Sequence, residues 1–317
     1  MTGVIDLTAD TPPPRRQTRS STRSQTTKSQ SPASSHPPSL ISPLSSPSQL
    51  PPTNFTPLPW VLRNPPALQR PLLRKRTWLQ NYSVTLPEDL QRRNLDTSPA
   101  AATLVFAQEE AGTAVCISPD GVILTCAHCI AEKPSELDLN ALHTLLFASG
   151  SVISARTVAW DPVRDLALLI IAEAEDSRPF PFIRLASSAP KKGAQLLCIG
   201  HPGSEDLEST VPGLQTGYDT LVLSTGTFRG LATGQDPQDN SDIGALAHTC
   251  WTYWGHSGAG LVDRRTGALV GLHSSWDDET GMRRGVPWEA VDAFVGEFEK
   301  KQQDGRGALE SWRWCVR

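Results

Sequence analysis

The sequence predicts an all-β fold of two six-stranded β-barrels, with one C-terminal helix and a disordered N-terminal arm. Three observations lead there. From about residue 100 the chain breaks into short strand-like stretches bounded by turn residues. These stretches fall into two sets of six, which suits two closed barrels. Only Trp288–Lys301 carries a helical stripe, with Trp288, Val291, Phe294, Val295 and Phe298 on one face.

In chain order, residues 1–59 form a Ser/Thr/Pro-rich basic arm with Pro12-Pro13-Pro14, Pro37-Pro38 and Pro51-Pro52. Such a composition buries too little apolar surface to offset chain entropy. Near its start, Val4-Ile5-Asp6-Leu7-Thr8 is a short β-prone segment that resembles the hydrophobic core of SUMO-interacting motifs. It suits strand addition to an exposed sheet edge, with Val4, Ile5 and Leu7 supplying apolar contacts and Asp6 the acidic one. Residues 60–95 are transitional: Trp60, Val61, Leu62, Leu72, Leu73, Trp78 and Leu79 are apolar enough to pack on a domain. Residues 96–317 hold the folded domain. Its first strands are expected at Ala102–Ala107, Thr113–Ile117, Val122–Thr125, Leu145–Ala148, Val152–Trp160 and Leu166–Ile171. Pro119-Asp120-Gly121 makes the turn between the second and third of these. The second set is Gln195–Ile199, Leu221–Phe228, Ala245–Thr252, Gly260–Val262, Ala268–His273 and Arg283–Val286.

Charge divides the chain unevenly. Residues 1–95 carry 12 basic and 4 acidic side chains, and the remainder 17 and 29. A basic arm on an acidic body fits a nucleic acid or acidic partner, although docking of the arm on its own domain fits equally. No signal-peptide pattern opens the chain, and the seven-residue apolar run Leu166–Ala172 is too short to span a bilayer. The expectation is an intracellular protein, nuclear in preference to cytoplasmic, that is neither secreted nor membrane-bound. Its six cysteines are then free thiols. Cys126 and Cys129 form a CxxC around Ala127 and His128, but no second ligand cluster follows at a suitable spacing. No metal or cofactor is expected.

The chemistry gathers in three segments. Trp254-Gly255-His256-Ser257-Gly258-Ala259-Gly260 flanks a serine with small residues, so that the backbone can turn sharply and present the hydroxyl. The amides of Gly255 and Ser257 are placed to share one hollow and receive a developing oxyanion. Thr125-Cys126-Ala127-His128-Cys129 offers a general base at a strand end, and Asp165 precedes the apolar strand Leu166-Ala167-Leu168-Leu169. A histidine can take the serine proton and return it, while an aspartate fixes the tautomer and stabilises the imidazolium. An α/β-hydrolase elbow is not met, because Ala259 occupies the last glycine position and the order is His, Asp, Ser.

The order His128, Asp165, Ser257 resembles the trypsin/chymotrypsin-like serine protease superfamily. The run Gly112-Thr113 through Ile117-Ser118-Pro119-Asp120-Gly121-Val122-Ile123-Leu124-Thr125 to Ala127-His128 is similar to its HtrA/Deg-type branch. Ile199-Gly200-His201-Pro202-Gly203, Thr225-Gly226-Thr227 and Val286-Pro287 follow in that branch's order. The resemblance covers roughly residues 100–300 and implies chymotrypsin-like barrels and a serine endopeptidase with a protein or peptide substrate. His256, Ala259 and Gly260 depart from the usual Gly-Asn/Asp-Ser-Gly-Gly-Pro. Cys129 matches a half-cystine of secreted members, but Gly112 stands at the partner's position. The residues after Lys301 are too few for a PDZ domain, and no Ile-Val-Gly-Gly-like start suggests zymogen cleavage.

Motif alignment places Trp251, His273, Ser274 and Trp276 at the primary specificity pocket. Neither Trp251 nor Cys250 is an acid, which argues against cleavage after Lys or Arg. The Gly271-Leu272-His273 wall looks like that of glutamyl endopeptidases and viral 3C-type proteases, where the histidine bonds a Glu or Gln side chain. A His273 satisfied within the barrel is the competing expectation, and Trp251 with Trp276 would favour a small residue. The leading expectation is an intracellular serine endopeptidase recruited to SUMO-bearing nuclear proteins. The alternative is a weak or inactive scaffold of the same fold that binds SUMO or chromatin-associated partners.

Overall fold

The structure is a computed structural model and describes residues 66–93, 98–108, 112–176 and 179–303. The Val4–Thr8 segment and Cys315 lie outside them. Helix α1 (Pro66–Asn81) and the single turn α2 (Glu88–Gln91) precede the barrels. The first barrel comprises β1 (Thr103–Phe106), β2 (Thr113–Cys116), β3 (Val122–Thr125), β4 (Leu142–Phe147), β5 (Val152–Asp161) and β6 (Leu166–Ala174). It closes in the order β1-β2-β3-β6-β5-β4. The second comprises β7 (Gln195–Gly200), β8 (Val222–Leu231), β9 (Leu246–His248), β10 (Gly260–Asp263), β11 (Leu269–Trp276) and β12 (Arg283–Pro287). It closes as β10-β11-β12-β9-β8-β7, and α3 (Trp288–Gln303) follows directly. The strand pairs within each barrel are antiparallel, so closure leaves no free sheet edge.

Each barrel has its own apolar filling. Leu104, Phe106, Ile123, Leu145, Ile153, Leu169 and Phe180 fill the first. Leu196, Cys198, Phe228, Leu246, Leu261 and Val270 fill the second. A third cluster lies between them, where Ile117, Leu124, Leu197, Val262 and Leu272 meet Val291, Phe294, Val295 and Phe298 of α3. This shared core holds the two barrels against each other, and the candidate site lies across their junction.

Helix α1, where sequence reading placed only apolar packing, lays Leu68, Leu72 and Leu79 with Val105, Leu146, Ile199 and Leu221. Lys75 sits in the same stripe and is fully buried, its Nζ donating to the carbonyls of Phe106 (2.8 Å) and Gln108 (3.1 Å). Burial of the ammonium is tolerated because the charge is met by carbonyl dipoles. The expected strand Ala245–Thr252 is shorter. β9 ends at His248, because the chain beyond it turns into the loop that carries the serine.

Candidate active site

His128 stands on a 3₁₀ turn, Ala127–Cys129, directly after β3. The turn is pinned from β5 by Trp160 Nε1, which donates to the Ala127 carbonyl at 3.0 Å. Asp165 directly precedes β6 with φ +55°, a left-handed conformation that an Asp tolerates better than most residues. Its carboxylate receives the His128 backbone N–H (3.2 Å) and lies 2.8 and 2.9 Å from His128 Nδ1 through its two oxygens. Asp165 is 4% exposed, so the pair is shielded from water on the aspartate side. With Nδ1–H bound to the carboxylate, Nε2 is left as the basic nitrogen.

The unusual backbone of Asp165 is secured by its neighbour. Arg164 forms a two-pronged contact with Glu297 of α3 (2.7 and 3.1 Å), bonds Asp161 (3.1 Å) and reaches Gln238 (2.7 Å). Asp161 Oδ1 also accepts from the amides of Val163 and Arg164, both at 3.0 Å. The loop before Asp165 is thereby tied to the far barrel and to the C-terminal helix.

On the second barrel, Tyr253–His256 forms a turn closed by His256 N–H to Tyr253 O at 3.0 Å, with Gly255 at φ +92°. Positive φ at the third position with this bond defines a type II turn, which fixes the direction of the Trp254–Gly255 peptide. A Cβ on Gly255 would lie 2.7 Å from the His201 carbonyl, so glycine is required on two counts. Thr113 of the first barrel holds this loop. Its Oγ1 donates to Gly255 O (2.9 Å) and accepts from His201 N–H (3.0 Å), and its amide donates to Ser257 O (2.8 Å). Thr125 in turn bonds the Thr113 carbonyl at 2.7 Å. Among the described residues the amides of Gly255 and Ser257 have no acceptor, which leaves both for an incoming oxyanion. Gly112 faces Cys129, where a Cβ would meet Sγ at 2.9 Å; the described cysteines are all free thiols.

Ser257 joins the constellation incompletely. Its Oγ donates to the Ser274 carbonyl at 3.2 Å, and among the described residues it makes no hydrogen bond with His128.

The predicted pocket residues surround a feature that no spacing in the sequence signals. His273 Nδ1 lies 3.1 Å from Nε2 of His248 on β9, with the rings at 88°. His256 stands 6.4 Å from His273, ring to ring, and holds the Tyr253 amide through Nδ1 at 3.1 Å. His201, His248, His256 and His273 are all 3% exposed or less. Burial pushes His248 and His256 down to about 3, and it also depresses His201 and His273. Among the described residues, His248 Nδ1 is sealed without a partner, whereas His273 Nε2 has no partner and is not among the sealed atoms. Trp251 packs on Tyr218 (5.1 Å), Tyr253 (6.4 Å) and His256 (5.5 Å). Trp276 lies 5.4 Å from Trp254. Both tryptophans are half-buried and Ser274 is buried, and carboxylates border this aromatic group: Tyr253 Oη donates to Asp206 (2.8 Å), Trp254 Nε1 to Glu208 (3.2 Å) and Trp276 Nε1 to Asp278 (2.8 Å).

The chain is similar to known proteins. Residues 112–272 match the family model described as the trypsin-like peptidase domain. The chain is 27% identical over 199 residues to serine protease HTRA1 of Xenopus laevis, covering 62% of this chain and 38% of that protein. It is 26% identical over 211 residues to serine protease HTRA1B of Danio rerio, covering 65% and 39%. The chain thus spans well under half the length of these relatives. Among solved structures, the active form of the Rv3671c protease from M. tuberculosis matches with TM-score 0.45 and 18% identity, over 68% of this chain and 88% of that one. The HtrA-type protease AlgW with a decapeptide matches with TM-score 0.44 and 24% identity, over 60% and 52%. With a family model covering half its length, the chain belongs to the trypsin-like peptidase domain family.

Proposed function

We propose that the protein is a serine endopeptidase in which Ser257 is the nucleophile, His128 the general base and Asp165 its orienting partner. The observation that carries this reading is the two-oxygen contact of Asp165 with His128 Nδ1, at 2.8 and 2.9 Å, across from a serine loop with two unused amides. Ser257 Oγ swings from the Ser274 carbonyl to His128 Nε2 and attacks the scissile carbonyl as Nε2 takes its proton. The Gly255 and Ser257 amides receive the oxyanion. The imidazolium, held by Asp165, gives its proton to the leaving amine. A water then repeats the sequence on the acyl-enzyme, with Nε2 as base. Hydrolysis of an unfolded protein substrate by the wild type and by Ser257→Ala tests the assignment; normal turnover by the variant would overturn it.

The pocket reading rests on the tautomer of the His248–His273 pair. A sealed N–H without an acceptor is the costlier orphan, so His248 Nδ1 is the bare nitrogen and Nε2–H donates to His273. His273 then presents Nε2–H outward and selects a substrate side chain that accepts, of the Glu or Gln type, over Lys or Arg. Cleavage-site profiling with wild type and His273→Ala decides; dominant cleavage after Lys or Arg refutes it.

The arm serves recruitment in this reading. Val4, Ile5, Asp6 and Leu7 add as a strand to SUMO and bring a nuclear enzyme to SUMO-modified substrates. NMR titration of a residue 1–20 peptide with SUMO, and with Val4, Ile5 and Leu7 changed together to Ala, tests it. Absence of shifts at millimolar peptide removes the motif. A second reading, a catalytically weak scaffold, is favoured by one observation: the Ser257 hydroxyl rests on Ser274 and not on His128.

A further inference from the structure

The CxxC around His128 lacks a second ligand cluster in the sequence, but folding brings one to it. Cys126 Sγ, a His128 ring nitrogen and an Asp165 carboxylate oxygen all lie within 4.8 Å of one another. A tetrahedral zinc ion, with bonds of about 2.3 Å to sulfur and about 2.0–2.2 Å to nitrogen and oxygen, sets its ligand atoms roughly 3.3–3.7 Å apart. The three side chains therefore need shifts of only about an ångström to close on such an ion. The donors are one thiol, one imidazole and one carboxylate, a set that suits zinc and its cobalt surrogate better than a hard cation. Cys126 and Asp165 are buried and His128 is half-buried, so the donors lie largely out of solvent.

The thiol has no part in peptide hydrolysis. It lies beside the Asp165 carboxylate, with the His273 carbonyl 3.5 Å from Sγ. We propose that Cys126, His128 and Asp165 form a site for a zinc-class divalent ion whose occupation switches the triad off. Coordination replaces the proton between Nδ1 and Asp165. The Cys126 thiol releases its proton to solvent, and the imidazole proton moves from Nδ1 to Nε2. One proton leaves for each ion bound, and the thiolate and carboxylate together balance the ion's two charges. A neutral cluster is the form that a buried site tolerates. Nε2, now carrying hydrogen, can no longer accept the proton of Ser257. Binding stands independently of the proteolytic reading, and the switching-off half rests on it.

The test uses the full chain with cobalt(II) and zinc(II) as probes. Cobalt titration is expected to give one ion per chain with a thiolate-to-cobalt charge-transfer band in the near ultraviolet. Cys126→Ala and the size-conserving Cys126→Ser should lose the band, and Cys129→Ala should keep it. Zinc should arrest peptide hydrolysis by the wild type, reversibly with a chelator. Cys126→Ala should hydrolyse at the wild-type rate and need at least about tenfold more zinc for half-inhibition, since even outer partners of a metal ligand contribute that much. No thiolate band, a band lost with Cys129 instead, or equal zinc sensitivity in Cys126→Ala would each overturn the site. If no preparation hydrolyses peptide, the cobalt band alone decides binding.

Discussion

Acidification is expected to destabilise this fold well before its carboxylates titrate. His248 and His256 are fully buried and held neutral, with burial as the main cause and the Arg283 charge as a further one for His248. Each is pushed down to about 3, whereas an unfolded chain titrates its histidines near 6.5. Between those values the unfolded state binds the extra proton, so stability falls as pH falls and is fully present above about 6.5. Integrating from pH 7 to 4.5 gives a loss of about 2–3 kcal/mol for each histidine, or about 5 kcal/mol for the pair. That is a large fraction of the 5–15 kcal/mol, in rough terms, that holds a domain folded. His201 and His273, depressed in the same direction, steepen the loss. The assay is urea unfolding followed by circular dichroism at pH 7.0, 6.0, 5.0 and 4.5, with His248→Asn alongside. The variant should show a shallower pH slope, lower by about one proton. Stability constant to within about 1 kcal/mol across that range would refute the buried neutral cluster.

Other outcomes follow from the site. Ser257→Ala or His128→Ala should lower kcat by on the order of 10⁴–10⁶, and Asp165→Asn by somewhat less, measured on one peptide substrate. Arg164→Ala, which frees the Asp165 loop from Glu297, Asp161 and Gln238, should lower kcat about 10–100-fold with little change in KM. Comparable loss with Glu297→Gln would show that the charge matters; no loss in either would remove the positioning role. Thr113→Val takes away the bonds to Gly255 O and His201 N–H and should cost about 1–3 kcal/mol in transition-state stabilisation, read from kcat/KM.

The strands were largely legible because each is short, strand-prone in composition and bounded by a turn whose chemistry is local, as at Pro119-Asp120-Gly121. The helix α3 was legible from a clean apolar stripe. Helix α1 was not. Pro71 interrupts its interior and Lys75 occupies a core position, so the apolar pattern breaks at these two residues, and for Lys75 the compensation is tertiary, through the Phe106 and Gln108 carbonyls. In the candidate site, His128, Asp165 and Ser257 stand out in the sequence because each sits in a recognisable local motif, and the structure brings the first two into contact. The His248–His273 pair, 25 residues apart with no characteristic spacing, and the Thr113 bridge between barrels depend on closure of the sheets and leave no mark in the chain. The resting contact of Ser257 with Ser274 is a rotamer choice, which sequence does not encode by pattern.

The central claim is that Ser257 is a nucleophile activated by His128 and Asp165. Reaction of the full chain with a fluorophosphonate, followed by peptide mass spectrometry, tests it most directly. A single phosphonyl adduct on Ser257, absent in Ser257→Ala and strongly slowed in His128→Ala, is the expected result. An adduct elsewhere, equal labelling of the variants, or no labelling where a control serine protease reacts would contradict it.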